Sequence, residues 1–224
     1  MISAGECPLS GSITQDKKMS RFATNWPFVA AMAIVVISSN FLVQYPFGYF
    51  GLQDLLTWGA FTYPLAFLVN DLTNRRFGPV AARKVVYVGF AIAVVLSIWL
   101  ATPRLAVASG SAFLVAQLLD VQVFDRLRER VWWIAPLTGA LIGSAVDTVL
   151  FFSIAFSERF AFLDTGLGRE DGSLGFAVPF LFGGEVPLWM SLALGDFAVK
   201  IGLSFLMLVP YGALLNIIRP TRTV

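Results

Sequence analysis

The chain has 224 residues and a net charge of +2, and 57% of its residues are hydrophobic while only 13% are charged. A soluble domain averages about 25% charged residues, so this composition excludes an ordinary water-soluble domain and favours an integral membrane protein. The single cysteine, Cys7, excludes a disulfide framework within the chain, and the absence of histidine excludes His-based zinc sites and His general bases. The small net charge indicates no nucleic-acid-binding surface, and we expect neither a metal nor a cofactor.

Six apolar runs approach the length that a membrane-spanning helix needs, which is about 20 mostly apolar residues. In chain order they cover residues 26–44, 55–70, 85–101, 105–124, 132–156 and 186–208. The second run is short, so it could be tilted or partly re-entrant. The pattern predicts an all-α polytopic membrane protein with six transmembrane helices in one bundle. The predicted parts are a polar leader over 1–25, a transmembrane domain over 26–215 and a tail over 216–224.

The distribution of Lys and Arg residues predicts the orientation, because cytoplasmic loops carry an excess of both. Twelve of the sixteen fall in the leader, in alternate loops or in the tail. They are Lys17, Lys18, Arg21, Arg75, Arg76, Arg83, Lys84, Arg126, Arg128, Arg130, Arg219 and Arg222. The other loops hold only Arg104, Arg159 and Arg169. Six spans with both termini in the cytoplasm satisfy this split.

The longest predicted connection, 157–185, is rich in glycine and acidic residues. The orientation places it outside the cytoplasm. Two interpretations are open: a partly ordered surface loop, or a lid on the outer mouth of the bundle.

Ionisable and amide side chains inside or at the edge of the apolar runs are the candidate functional residues, because a charge at membrane depth costs at least a few kcal/mol. The candidate substrate-binding residues are Asn40, Gln44, Asp71, Asn74, Gln117, Asp120, Asp147, Asp196 and Lys200. Gln117 and Asp120 are three residues apart and share a helix face. Gly139 and Gly143 form a G-x-x-x-G pattern on the face of Asp147, so we expect that face to meet other helices. Asp71 and Asn74 are expected at the cytoplasmic edge of the second span.

Asp196 and Lys200 are four residues apart on the last predicted span. One interpretation is an intrahelical ion pair that makes both residues tolerable in lipid. The other is that Asp196 binds substrate or a proton while Lys200 tunes its ionisation. Asp120 and Asp147 have no neighbour of opposite charge at helical spacing within their runs, and on this reasoning they are the first residues to mutate.

Three groups of segments resemble the queuosine precursor transporter family. The first comprises residues 62–64 (TYP), 71–78 (DLTNRRFG) and 82–86 (ARKVV). The second comprises 111–113 (SAF) and 117–125 (QLLDVQVFD), and the third is 143–151 (GSAVDTVLF). Other family members carry an acidic residue near the position of Asn74, where this chain has an amide.

This resemblance implies a six-helix importer of 7-deazaguanine bases, such as the 7-cyano or 7-aminomethyl precursor of queuosine, in the cell inner membrane. A carboxylate would accept the N1–H and the exocyclic amine of such a base, and an amide or lysine would meet O6. Asp120, Asp147 and Asp196 are candidates for the first role. Any proton coupling would fall to a carboxylate such as Asp147 or Asp196. The expected partners are the base and the bilayer, with a homodimer as an open alternative.

Three other functions fit the residues. The chain has no Walker A motif, so a substrate-capturing subunit of an energy-coupling vitamin transporter would need an ATPase in a separate chain. An intramembrane enzyme would need Asp120 and Asp147 within a few ångströms of each other. In a non-catalytic assembly protein the buried polar groups would only join helices.

Overall fold

The computed structural model of the protein describes residues 10–49, 57–180, 184–215 and 217–218, and for residues 10–24 and Phe180 it describes the backbone alone. Cys7, the beginning of the second predicted span and the basic residues of the tail lie outside the described residues. The described chain is mostly helical, which confirms the class of helical membrane protein.

Eight α-helices, a short 3-10 helix and one two-stranded hairpin make up the described chain. The helices are α1 (Ser10–Leu42), α2 (Gly59–Thr62), α3 (Pro64–Phe77), α4 (Pro79–Leu100), α5 (Pro103–Leu127), α6 (Ile134–Phe156), α7 (Phe162–Thr165) and α8 (Leu188–Leu215). Strands β1 (Ala177–Phe180) and β2 (Gly184–Pro187) pair antiparallel. Five of the helices, α1, α4, α5, α6 and α8, contain stretches long and apolar enough to cross a membrane.

Among the six predicted spans, the second differs most in its observed structure from the helix that the sequence predicted. It consists of α2 and α3, and it continues beyond Asn70 to Phe77. Tyr63 separates the two helices but has helical dihedral angles, with φ −57° and ψ −41°, so residues 59–77 form a nearly continuous helical segment. Six of the last eight residues of this segment are polar or charged. Because the span was predicted from apolar residues alone, the predicted span ended before the helix does.

Proline and glycine set the starts of the next three helices. Pro64, Pro79 and Pro103 occupy the first helical turn, where a missing N–H costs no hydrogen bond. Thr102 caps α5 by accepting a hydrogen bond from the Leu105 N–H at 3.3 Å. Gly78 has φ +85°, a backbone conformation that favours glycine, and it turns the chain from α3 into α4.

Successive long helices run in opposite directions and give the bundle two distinct ends. One end, called the basic end, carries the C-termini of α3 and α5, which are joined by a hydrogen bond from Arg128 Nη2 to the Arg75 carbonyl at 3.4 Å. The opposite end, called the cavity end, carries the C-termini of α1, α4 and α6. There Ser97 Oγ of α4 donates a hydrogen bond to Asn40 Oδ1 of α1 at 3.3 Å.

The most extensive helix contact in the described chain joins α5 and α6. Gly143 allows it, because a Cβ at that position would lie 3.4 Å from the Ala116 carbonyl of α5 and 2.6 Å from the ring of Phe67. Ser144, Asp147 and Thr148 lie on the same face and are each 5% exposed or less. The expected small and polar face of this helix therefore does meet other helices.

The connection between α6 and α8 is ordered around Arg104, which belongs to the first turn of α5 and is 1% exposed. Its guanidinium donates to the carboxylates of Asp164 at 3.0 Å and Asp171 at 3.2 Å. It also donates to the carbonyls of Ile154 and Ser157 in and after α6. This residue was assigned to a loop from the sequence; the structure places it in the first turn of α5, where acidic groups of the connection fold over it.

Hydrogen bonds from Ser173 hold the pKa of the Asp171 carboxyl below its usual range, and the Arg104 guanidinium acts in the same direction. A lowered pKa means that Asp171 stays charged, and keeps its contact with Arg104, until the pH falls below the ordinary range of an aspartate.

We predict that Arg104→Gln destabilises the protein by about 3–5 kcal/mol, because it leaves the buried Asp164 carboxylate without its cation. The matched control is Arg159→Gln, a change of the same kind at an exposed residue of the same connection. Thermal unfolding of the detergent-solubilised protein measures the difference. Equal melting temperatures for the two variants would show that Arg104 does not anchor the connection.

Candidate functional site

A cavity of about 550 Å³, called the large cavity, lies in the half of the bundle next to the cavity end. It is lined by the C-terminal halves of α1, α4 and α6, by the N-terminal halves of α5 and α8, and by residues around α2. No described residue between Ser157 and Pro187 lines it. The described part of that connection therefore covers the ends of α5 and α6 and is not a wall of the cavity.

An ionic triad occupies the inner wall of the large cavity. Lys200 Nζ of α8 lies 2.6 Å from Asp147 Oδ2 of α6 and 2.5 Å from Asp196 Oδ2, one turn earlier on α8. Tyr63 Oη donates to Asp147 Oδ1 at 2.7 Å, and Thr148 Oγ1 donates to Asp196 Oδ2 at 2.9 Å. With all three charged groups ionised, the triad carries one surplus negative charge.

The two carboxylates of the triad differ in what they can offer a ligand. Both oxygens of Asp147 accept hydrogen bonds from the protein, and its side chain is 7% exposed. Asp196 is 16% exposed, and its Oδ1 accepts no hydrogen bond from any described residue. The acceptor that a ligand in the cavity can reach is therefore on Asp196, while Asp147 holds Lys200 and Tyr63 in place.

Amides and aromatic rings form the rest of the cavity wall. Asn40 lines the cavity with its amide held by Val36 and Ser97, and Gln44 lies at the exposed mouth, two residues beyond the end of α1. The aromatic side chains that line the cavity are Tyr63, Phe113, Phe151, Phe152 and Phe156. Flat apolar surfaces with a few fixed polar groups are typical of sites for small planar ligands.

A second group of polar residues, called the polar cluster, lies between α3 and α5 and comprises Asn70, Asp71, Asn74, Gln117 and Asp120. Each is 3% exposed or less. Asn70 Nδ2 donates to Asp120 Oδ2 at 2.8 Å, and Asn74 Nδ2 donates to the Val121 carbonyl at 3.1 Å. Gly139 of α6 closes over the cluster, because a Cβ there would collide with the Asp120 carboxylate.

The structure therefore divides the nine predicted site residues between two places. Asn40, Gln44, Asp147, Asp196 and Lys200 line the large cavity, whereas the polar cluster contains the other four. Asp71 and Asn74 were expected at the cytoplasmic edge of their span. Helix α3 continues to Phe77, and neighbouring helices bury both residues. Asp147 does have a cationic partner, but Lys200 reaches it from another helix.

Asp120 and Asp147 do not form a pair. Asp120 lies beside Gly139, and residues 139 and 147 are separated along α6 by about 12 Å. The separation removes the arrangement that an enzyme using these two aspartates would need. The carboxyl group that faces Asp120 belongs to Asp71.

Three further residues belong to these sites and were not among the candidates. Tyr63 holds Asp147, Asn70 holds Asp120, and Tyr211 of α8 is buried against the ring of Phe124. The sequence contains one signal for Asn70, which is four residues before Asn74 and therefore on the same face of a helix. Nothing in the spacing points to the two tyrosines, whose roles depend on contacts between helices.

Comparisons with known proteins agree on one family. A family model described as "Putative vitamin uptake transporter" matches residues 57–102 and 97–214. The chain is 35% identical over 207 residues to the "Queuosine precursor transporter" of Escherichia coli (strain K12), with 83% of each chain covered. It is 32% identical over 216 residues to the "Probable queuosine precursor transporter" of Haemophilus influenzae, with 82% of this chain and 83% of that protein covered. No solved structure matches the chain.

We predict that Lys200→Met destabilises the protein by about 3–5 kcal/mol, because it leaves two largely buried carboxylates without a cation. The double variant Lys200→Met/Asp147→Asn should recover part of the loss, since it removes one of those charges. Lys84→Met, at an exposed position of α4, is the control. Thermal unfolding in detergent, followed by size-exclusion chromatography, measures all three; a Lys200→Met variant as stable as the control would contradict the role of the triad.

Proposed function

We propose, since the chain belongs to the queuosine precursor transporter family, that it imports a 7-deazaguanine precursor of queuosine across the cell inner membrane. The 7-cyano and 7-aminomethyl bases are the proposed substrates. The observation that carries the proposal is the large cavity, which Asp196, Asp147 and Lys200 line together with Asn40 and aromatic side chains.

The protein is a multi-pass membrane transport protein and not an enzyme, as its family membership indicates. In the described chain, five helices are long and apolar enough to cross a membrane. We propose that the segment 59–77 is the sixth crossing, because a helix of that length extends about 28 Å, close to the roughly 30 Å of the hydrocarbon core.

The proposed orientation has both termini in the cytoplasm and the basic end of the bundle on the cytoplasmic side. The basic end carries Arg75, Arg76, Arg83, Lys84, Arg126 and Arg128, as the positive-inside rule requires of a cytoplasmic face. The large cavity then lies in the outer half of the membrane, and this conformation is the one that receives substrate from outside.

The chemistry of a deazaguanine fits the wall of the large cavity. The base offers N1–H and an exocyclic amine as neighbouring donors, and a carboxylate with a free oxygen can accept from both. Asp196 supplies that carboxylate, and the amides of Asn40 and Gln44 or the ammonium of Lys200 meet the O6 acceptor. A volume of about 550 Å³ lies within the range of roughly 300–1,000 Å³ for small-molecule pockets.

Import in cells is the first test. In a bacterial strain that cannot make the base and lacks its own transporter, expression of this protein should restore queuosine in tRNA when the 7-cyano or 7-aminomethyl base is supplied. Mass spectrometry of digested tRNA measures the nucleoside. Queuosine that stays absent despite normal membrane levels of the protein would overturn the proposal. A requirement for a co-purifying ATPase would instead favour a subunit of an energy-coupling system.

Binding to the purified protein is the second test. Asp196→Asn should weaken binding of the base by about ten- to a hundredfold, because it removes a charge-assisted hydrogen bond worth about 1.5–3 kcal/mol. Glu185→Gln is the matched control, since it changes an exposed acidic residue at the same end of the molecule. Titration calorimetry in detergent gives both dissociation constants. An unchanged constant for Asp196→Asn would remove this residue from the site.

A further inference from the structure

We propose that Asp71 and Asp120 together bind one proton, and that this proton couples import to the pH gradient across the membrane. The inference rests on the proposed function, because it names the ion that drives the same transporter. It assigns the coupling ion to the polar cluster and not to the triad in the large cavity.

The geometry of the two carboxyl groups points to a shared proton. The carboxyl groups of Asp71 of α3 and Asp120 of α5 lie close to each other between the two helices, and the residues are 3% and 0% exposed. A hydrogen bond between two carboxyl groups requires one proton. Two ionised carboxylates at this distance in an apolar interior repel each other strongly, because the effective dielectric constant is far below that of water.

No cation of the described chain replaces that proton. The ion pairs between described residues include neither Asp71 nor Asp120. The contrast with Asp147 and Asp196 is direct, since Lys200 lies between those two carboxylates.

The charged and titratable groups around the pair are held elsewhere. Arg75 and Arg128, at the basic end, donate to each other's carbonyl oxygens. The guanidinium of Arg76 lies over the ring of Phe77. Arg83 and Lys84 of α4 are exposed.

The helices that pack on the pair contribute few ionisable groups. From α6, the small residues Pro136, Gly139 and Ala140 face the pair. From α8, Tyr211 faces it, and from residues 25–42 of α1 no ionisable side chain is available.

A second observation that supports the proton site is a set of buried polar groups around Asp71 and Asp120 that have no hydrogen-bond partner in the described chain. Gln117 is fully buried with neither its Oε1 nor its Nε2 hydrogen-bonded, and the Tyr211 hydroxyl is also without a partner in the described chain. Groups that would cost about 1–3 kcal/mol each when left unpaired indicate a site that exchanges a ligand or water during function.

A route for the proton begins at a small cavity of about 20 Å³ beside Asp71, which we call the small cavity. Ser204 and Tyr211 line it, and its size is sufficient for one water molecule. Ser204 also donates a hydrogen bond to the carbonyl of Lys200 at 2.7 Å. One turn of α8 therefore connects the small cavity with the triad in the large cavity.

Phe67 separates the two cavities. It lines the small cavity, and its ring packs edge-on against Tyr63 at 6.0 Å between centroids. Tyr63 lines the large cavity and holds Asp147. A rearrangement of α3 against α8 that moves this ring changes both sites at once, which is the property that coupling requires.

A proton fits the polar cluster better than a metal cation. The Asn70 amide directs its N–H donor at Asp120 Oδ2 over 2.8 Å and so occupies a position where a cation would have to lie. A hard cation such as Mg²⁺ or Ca²⁺ takes six or more oxygen ligands, and the small cavity has room for a single water. The two carboxyl groups need only one proton to lose their mutual repulsion.

Transport in proteoliposomes tests the coupling. With the 7-cyano base and an acidic exterior, the wild-type protein should accumulate substrate several-fold above its level without a gradient. Asp120→Asn and Asp71→Asn should each lose that accumulation but keep exchange of labelled for unlabelled base at equal pH, because exchange needs no net movement of the proton. Asp125→Asn, at a partly exposed position near the end of α5, should behave as the wild type. Wild-type accumulation driven by a sodium gradient and indifferent to pH would overturn the inference.

Infrared spectroscopy of the protein without substrate gives an independent answer. The wild type should show the C=O stretching band of a protonated carboxyl group, which disappears as the pH is raised. The band should be lost in the double variant Asp71→Asn/Asp120→Asn and retained in Asp125→Asn. A wild-type spectrum without a titrating band, or a band that survives in the double variant, would refute the proton site. If the wild type transported no deazaguanine at all, the proposed function would fail. The infrared measurement would still decide whether Asp71 and Asp120 share a proton.

Discussion

The ammonium group of Lys200 joins the helices around which the rest of the bundle is arranged. It lies on α8, binds Asp147 of α6 and Asp196 of its own helix, and reaches Tyr63 at the start of α3 through Asp147. Breaking such a pair by removing one partner is costly, because the remaining charge stays in a medium that solvates it poorly. The position of α8 against α3 and α6 is thereby linked to the wall of the large cavity, so the groups that stabilise the bundle also line that cavity.

The apolar runs predicted six spans, of which five are long helices in the described chain. The spacing of Asp196 and Lys200 left two interpretations open, and the ion pair within one helix is present. The pairing of Lys200 with Asp147 could not be predicted, because it depends on which helices are neighbours. The same limit applies to Asp71 and Asp120, which are separated in sequence and meet only when α3 packs on α5. The burial of Asp71 was not predicted for a different reason: hydropathy ends a helix at its last apolar residue, whereas α3 continues through a polar stretch that other helices bury.

Three buried ionic sites solve the problem of charge in an apolar interior in different ways. Arg104 is surrounded by two carboxylates and three neutral acceptors, and it fixes a connection outside the bundle. The triad has one cation for two carboxylates and an open side toward the large cavity. The polar cluster has two carboxyl groups, Asp71 and Asp120, and neither forms an ion pair with a described residue. The arrangement around Arg104 suits a permanent structural contact. The triad and the polar cluster suit sites that gain and lose a ligand or a proton.

The polar character of α3 has a consequence for how the protein enters the membrane. Asp and Arg at the centre of an inserting helix each cost about 2.5–3.5 kcal/mol, and this short helix carries Asp71, Arg75 and Arg76 beside three more polar residues. Such a segment does not partition into lipid by itself. Gly78 joins it to the strongly apolar α4 by a tight turn, so the two can be inserted as one hairpin. In the proposed six-span arrangement, α3 settles only after the ribosome has delivered α4 to the insertion machinery, and it gains its final surroundings when α5 arrives.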